Sequence, residues 1–233
     1  MIIKKVDGFD KGLGFKFILT ITLLYFLVIF PGIQFFLRGH GWFPQYGYAI
    51  YFSGIFVYVL AVKKVPLDQL GFSRQYLGNH LLIGLILGSL ILSALPLLDT
   101  LISVSGLERH ELFSQTANQR TASQWTELHP LGLAVQILLF PMLAQFFFTG
   151  LIFQGLSRKY NPVLAIYGSG IIFTLGHFHL TLGLFALGII SAFLFRLTGT
   201  LYASVLFHTS CSLSGILLLY IYPRLTPLLG FLF

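Results

Sequence analysis

Charge is what this sequence has least of. Only 9% of its residues are Asp, Glu, Lys or Arg, where a soluble domain carries roughly 25%. With 56% hydrophobic residues, the chain has far too much apolar surface for one water-facing core. Lipid can solvate that surface, and helices satisfy their own backbone hydrogen bonds there. The fold class is therefore all-α, a polytopic integral membrane protein of one membrane domain. The scarcity is also uneven, because all seven acids lie at or before Glu127 and nothing after it carries a carboxylate. Cysteine is nearly absent too: Cys211 stands alone, which excludes a disulfide framework and a cysteine-based metal site. The net charge of +7 does not point to nucleic acid, since the basic residues fall at the ends of apolar runs, where they fix orientation.

Those runs fall at about 17–37, 46–62, 81–98, 131–156, 163–178, 180–195 and 201–222. Most hold roughly the 17–25 residues that a span needs, the fifth and sixth being short. About seven transmembrane helices are expected, with Pro31 and Gly32 bending the first. Lys4, Lys5, Lys11 and Lys16 precede a run too long for a signal peptide and without a small-x-small cleavage site, so a first transmembrane helix is the reading. Residues 1–130 form a three-helix region ending in a long polar loop, 99–130, and residues 131–233 a four-helix region. That loop carries Glu108, Glu111, Trp125 and Glu127, and reads as a solvated loop with one interfacial helix, or as a docking surface or lid.

Alternating loops hold ten Lys and Arg on the N-terminal side against Arg38, Arg109, Arg120 and Arg224 on the other. This places the N-terminus in the cytoplasm and the loop 99–130 outside it. The expected location is a bacterial-type cytoplasmic (inner) membrane or a thylakoid-like one.

Polar side chains inside spans are costly, which makes them the functional candidates. His177, in "FTLGHFH", and His208, in "LYASVLFHTSCS", can reach a common middle depth by rise per residue. Gln145, Thr149 and Ser212 can join them. Each histidine alone could be a neutral interhelical hydrogen-bonding residue, but the matched pair favours a shared polar site. His179 lies two residues from His177, so it points the other way and reads as interfacial. "HFH" is poor chelate spacing for the same reason.

The order "AQFFFTGLIFQGL", "NPVLAI", "FTLGH" and "FRLTGTLYASVLFH" resembles the CAAX-protease and bacteriocin-processing (CPBP, Abi) family. Its members are glutamic-type intramembrane endopeptidases. The resemblance covers about 131–218 and implies a glutamic intramembrane protease-like core. The family pattern runs Glu-Glu-x-x-x-Arg, then Phe-x-x-x-His, then His-x-x-x-Asn or Asp. Phe173 and His177 match the second motif, His208 begins the third, and Gly150 matches the glycine after the first. Arg196, Thr198, Gly199 and Leu201 match the turn between the last two. The departures fall on the chemistry: Ala144 and Gln145 stand for the two glutamates, Thr149 for the arginine and Ser212 for the final Asn or Asp.

In the family mechanism the first glutamate takes a proton from water and histidines help to stabilise the oxyanion. Alanine cannot accept a proton, and glutamine is a very weak base. The second glutamate and the arginine, four apart on one face, are lost together, which avoids stranding one charge in low dielectric. The resulting expectation is a non-catalytic relative. It would bind a transmembrane or peptide partner through a cleft of Gln145, Thr149, His177, His208 and Ser212, as an accessory subunit or assembly factor of a membrane complex. The alternative is an active endopeptidase with an unusual base, Asp99 being the acid nearest the hydrocarbon. No cofactor is called for: a metal at His177 and His208 lacks a third ligand unless His80 or Gln145 contributes. "YGSG" and "SLSG" match a rhomboid-like serine site only in part, and transporter-like paired broken helices are not visible.

The orientation is testable. Cysteines placed at Ser114 and Ser157 are expected to react with an impermeant thiol reagent from opposite sides of the membrane. Reaction of both from one side would refute the topology.

Overall fold

The computed structural model describes residues 13–37, 43–107, 130–177 and 180–229. Among them every regular element is helical. Seven long helices follow one another: α1 (Phe15–Leu37), α2 (Phe43–Ala61), α3 (Leu77–Val104), α4 (Pro130–Lys159), α5 (Pro162–His177), α6 (Leu182–Thr198) and α7 (Tyr202–Tyr220). A 3₁₀ turn (Pro223–Leu225) and a short α8 (Thr226–Leu229) close the described chain. α1, α3, α4 and α7 are long and apolar enough to cross a membrane unaided. α5 and α6, with 16 and 17 residues, reach only about 24–26 Å at 1.5 Å per residue.

Each expected run overlaps one of these helices and, apart from α3, ends within three residues of it, with 178 falling outside the described residues. α3 exceeds its run at both ends, and at the Asp99 end the reason lies in how its polar groups find partners. A hydropathy count stops at Asp99 and Thr100, but the Thr100 hydroxyl donates to the Pro96 carbonyl at 2.7 Å. Asp99 receives the guanidinium of Arg224. Once both polar groups are satisfied, the helix continues. Starts and stops follow ordinary capping: the Thr181 hydroxyl accepts the Leu184 N–H at the head of α6, and Gly199 ends it in the left-handed region at φ +69°. Asn161 Oδ1 accepts the Leu164 N–H at 2.8 Å, with Pro162 at the first turn of α5.

The expected bend at Pro31 takes the form of a π-helical turn, Tyr25–Ile29, just before it. Pro141 is preceded in the same way by Val135–Leu139. A proline ring collides with the carbonyl four residues back, and a wider turn relieves that collision. A third π-helical stretch, Phe146–Phe153, contains no proline and lies beside the polar site, where such stretches often occur.

α3 and α7 run parallel. Gly84 packs on Ala203 and Leu206, and Gly88 on Ser210, small residues allowing the close approach that membrane helix pairs favour. α1, α2 and α4 share an aromatic core in which Tyr25, Phe52, Phe147 and Phe148 are buried. Large side chains on the outside, such as Leu27, Phe35 and Leu90, are left to lipid. At one end of the bundle Lys63 lies over the Phe17 ring and Lys159 over the Phe15 ring. The Asp99–Arg224 pair marks the other end. The connection from α2 to α3 turns inward, so that Leu70 is buried and Gly71 accepts the Leu201 N–H at 2.8 Å.

The α3–α7 contact gives a clean test. A Cβ on Gly84 would lie 2.9 Å from the Ala203 carbonyl oxygen, whereas one on Gly78 meets nothing within 4 Å. Gly84→Ala is expected to destabilise the protein by about 1–3 kcal/mol and Gly78→Ala to stabilise it slightly. Thermal unfolding in detergent reads both.

Candidate functional site

Four helices bring polar side chains to one depth. α4 supplies Gln145 and Thr149, α5 His177, α6 Ser191, and α7 His208. Gln145 is fully buried and is the hub. Its Nε2 donates to Ser191 Oγ at 3.0 Å and to His208 Nδ1 at 3.1 Å, while its Oε1 accepts the Thr149 hydroxyl at 2.7 Å. Ser204 on α7 donates to the Ser191 carbonyl at 2.8 Å, fixing α7 against α6. The histidine rings are 6.2 Å apart, centroid to centroid. Phe173 stands between them, 4.3 Å from His177 and 5.6 Å from His208.

Small residues allow this arrangement. A Cβ on Gly176 would collide with the Phe148 ring at 2.3 Å, and one on Gly188 with Gly170 and Phe173 at 2.9 Å. Phe148 therefore packs beneath His177, and α5 lies tightly on α6. Tyr25 on α1 donates to the Gly176 carbonyl at 2.7 Å, and His177 Nδ1 donates to the Phe173 carbonyl at 2.8 Å.

A cavity of about 710 Å³ rises from the histidine pair. Its walls are largely apolar, with Leu95, Leu187, Ile190 and Phe207 among them, and it extends toward the bundle end that holds Leu98 and Leu229. Of the five expected cleft residues, His177, His208 and Ser212 line it. Gln145 and Thr149 do not. They lie buried behind His208 and act on the cavity through it. Ala144 is also fully buried and away from the cavity lining, and Phe173 serves as the spacer between the rings. His179 lies outside the described residues, as do Glu108, Glu111, Trp125 and Glu127.

The other candidates go elsewhere. His80 bonds Thr200 through Nδ1 and Oγ1 at 2.9 Å, at the opening of α7. Asp99 accepts Arg224 Nε, while Arg224 Nη2 donates to the Asp99 carbonyl at 3.0 Å and to Ser103 Oγ at 2.7 Å. Because Gly88 meets Leu206 and Ser210, His208 sits level with residue 88 of α3, and Asp99 lies about 16 Å further along the axis. Among the described residues, no three of His, Cys, Asp and Glu lie together as metal ligands would. Ser191 is the functional residue that the sequence reading missed. It had a signal: a lone hydroxyl about two turns from the end of α6, at the depth that singled out His208.

Residues 126–214, less than half of the chain, match the family described as type II CAAX prenyl endopeptidase Rce1-like. The match supports membership of the CAAX-protease family, which the motifs suggested, over the stretch that holds the hub and both histidines. No curated protein and no solved structure matches the chain significantly.

The hub is testable by coupling. Thr149→Val leaves Gln145 Oε1 without its donor and is expected to cost about 1–3 kcal/mol. In a Gln145→Leu background the same change should cost much less, and the double-mutant cycle is expected to give a coupling of about 0.5–3 kcal/mol. Additive losses would show that the pair does not act together.

Proposed function

We propose that this chain is a non-catalytic relative of the CAAX-type membrane endopeptidases that holds a transmembrane helix or an extended peptide, as an accessory subunit or assembly factor of a membrane complex. One observation carries the reading: the place of the family's charged Glu-Glu-x-x-x-Arg set is taken by Ala144, Gln145 and Thr149, and the last two are joined in a neutral, satisfied network. A carboxamide whose two N–H groups are both committed does not take a proton from water. The cavity supports the holding role, since its apolar walls and polar floor suit a chain that is largely hydrophobic with hydrogen-bonding groups along it.

The acid that could stand in for a missing base is Asp99. Its bonds to Arg224 and its distance along α3 weigh against that use. With the N-terminus in the cytoplasm, as the ten-to-four division of basic residues suggests, the cavity extends toward the opposite face, at the end of α3 that holds Asp99.

The test is hydrolysis. Purified protein incubated with a fluorogenic membrane peptide is expected to show no turnover above a His208→Ala control. A general base commonly contributes about 10²–10⁴ in rate, so an intact catalytic set would be visible. Ala144→Glu alone is expected to remain inactive, because position 144 is fully buried and no arginine stands at 149. Cleavage by the unmodified protein that disappears in the histidine variant would overturn the reading.

A further inference from the structure

We propose that the chain from Pro223 to Leu229 is a strap across the end of the cavity far from the histidine pair, latched to α3 by Arg224, and that an occupant enters there when the latch opens. The inference concerns access to the cavity, and it stands whether the chain cuts a peptide or only holds one. The strap consists of the 3₁₀ turn and the four-residue α8. It leaves α7 at Ile221 and Tyr222, whose N–H groups both reach back to the Leu217 carbonyl. Leu225 is fully buried in a small cluster with Leu95, Ile102 and Leu218, and Leu229 packs against that cluster. Leu95, Leu98 and Leu229 also line the cavity. The strap therefore rests on the part of α3 that forms the cavity wall, with its tip at the cavity itself.

Its attachment is narrow. Among the described residues, the hydrogen bonds from the strap to α3 all come from Arg224: to the Asp99 carboxylate, to the Asp99 carbonyl at 3.0 Å and to the Ser103 hydroxyl at 2.7 Å. Neutralising Asp99 needs only the first of these. The other two grip α3 at points one turn apart and fix where the strap lies. α8 does little to hold itself, since isolated helices below about 12 residues are marginal, and Pro227 and Leu228 are exposed. The side chains of Arg224 and Asp99 keep 24% and 22% of their surface exposed. A fully buried pair is very costly to separate, and a fully exposed one holds little. This pair lies between the two, which suits a latch that closes by itself and can be opened.

Cys211 makes the latch measurable. It is the only cysteine in the chain and it lines the cavity. Its reaction with N-ethylmaleimide, followed by mass spectrometry of the full chain in lipid nanodiscs, reports entry, and Cys211→Ala gives the background. Arg224→Gln and Asp99→Asn are each expected to speed labelling by about 10-fold or more, the worth of a hydrogen bond to a charged group. Ser103→Ala, which removes one of the three bonds, should give a smaller increase in the same direction. The double variant of Asp99→Asn with Arg224→Gln should label no faster than the faster single one. About 1 M salt, which screens charge beyond roughly 3 Å, should speed labelling of the unmodified chain and leave Arg224→Gln unchanged. Gly84→Ala is the control for stability, because it loosens the α3–α7 contact about 22 Å from Asp99 along α3. It should label at the unmodified rate.

Unchanged labelling in Arg224→Gln overturns the proposal, because the cavity is then reached by another route. Equal acceleration in Gly84→Ala overturns it too, because labelling then follows general loosening of the bundle. Should Arg224→Gln not fold, Ser103→Ala and the salt arm decide: labelling that responds to neither removes the latch.

Discussion

Three helices are tied together by one uncharged amide. Gln145 on α4 spends its two donors on α6 and α7 and receives a hydroxyl from its own helix. In hydrocarbon there is no water to complete a polar group, so a side chain of this kind is either satisfied by protein or very costly. The rest of the core is arranged around meeting that demand. Glycines at 176 and 188 bring α5 and Phe148 close. Phe173 separates the two imidazoles, and Ser204 fixes the level of α7 against α6.

The charged groups obey the same constraint by keeping away. Among the described residues, the acids are Asp68, in the connection from α2 to α3, and Asp99, near the far end of α3. Arg224 wraps the latter with bonds to its carboxylate, its carbonyl and the Ser103 hydroxyl. A charged pair at the bundle end and a neutral network at its middle are what a low-dielectric interior tolerates.

Much of this could be read without coordinates. Helix number and order followed from apolar runs, and the meeting of His177 with His208 followed from counting depth along two helices. The same count, applied to α6, would have found Ser191. What stayed hidden depends on direction and on distant partners. Depth alone cannot say that Gln145 and Thr149 lie behind His208 rather than beside it in the cavity, because that depends on how α4 is rotated, and the π-helical stretch from Phe146 to Phe153 breaks the simple hundred-degree rule. The extra length of α3 was equally invisible, since it depends on Asp99 finding a partner 125 residues away. Local hydropathy carries no information about such a pair.

The parallel seam between α3 and α7 has a consequence for how the chain can be divided. The family match covers residues 126–214, yet the surface against which His208's helix is packed comes from Gly84 and Gly88, and one wall of the cavity comes from Ala94, Leu95 and Leu98. The segment that bears the recognisable motifs is therefore not a module. Cut at its sequence boundary, it would expose the back of α7 to lipid and open the cavity along its length. The unit that has to be kept together is the whole bundle, because α3 completes both the packing of α7 and the wall of the cavity.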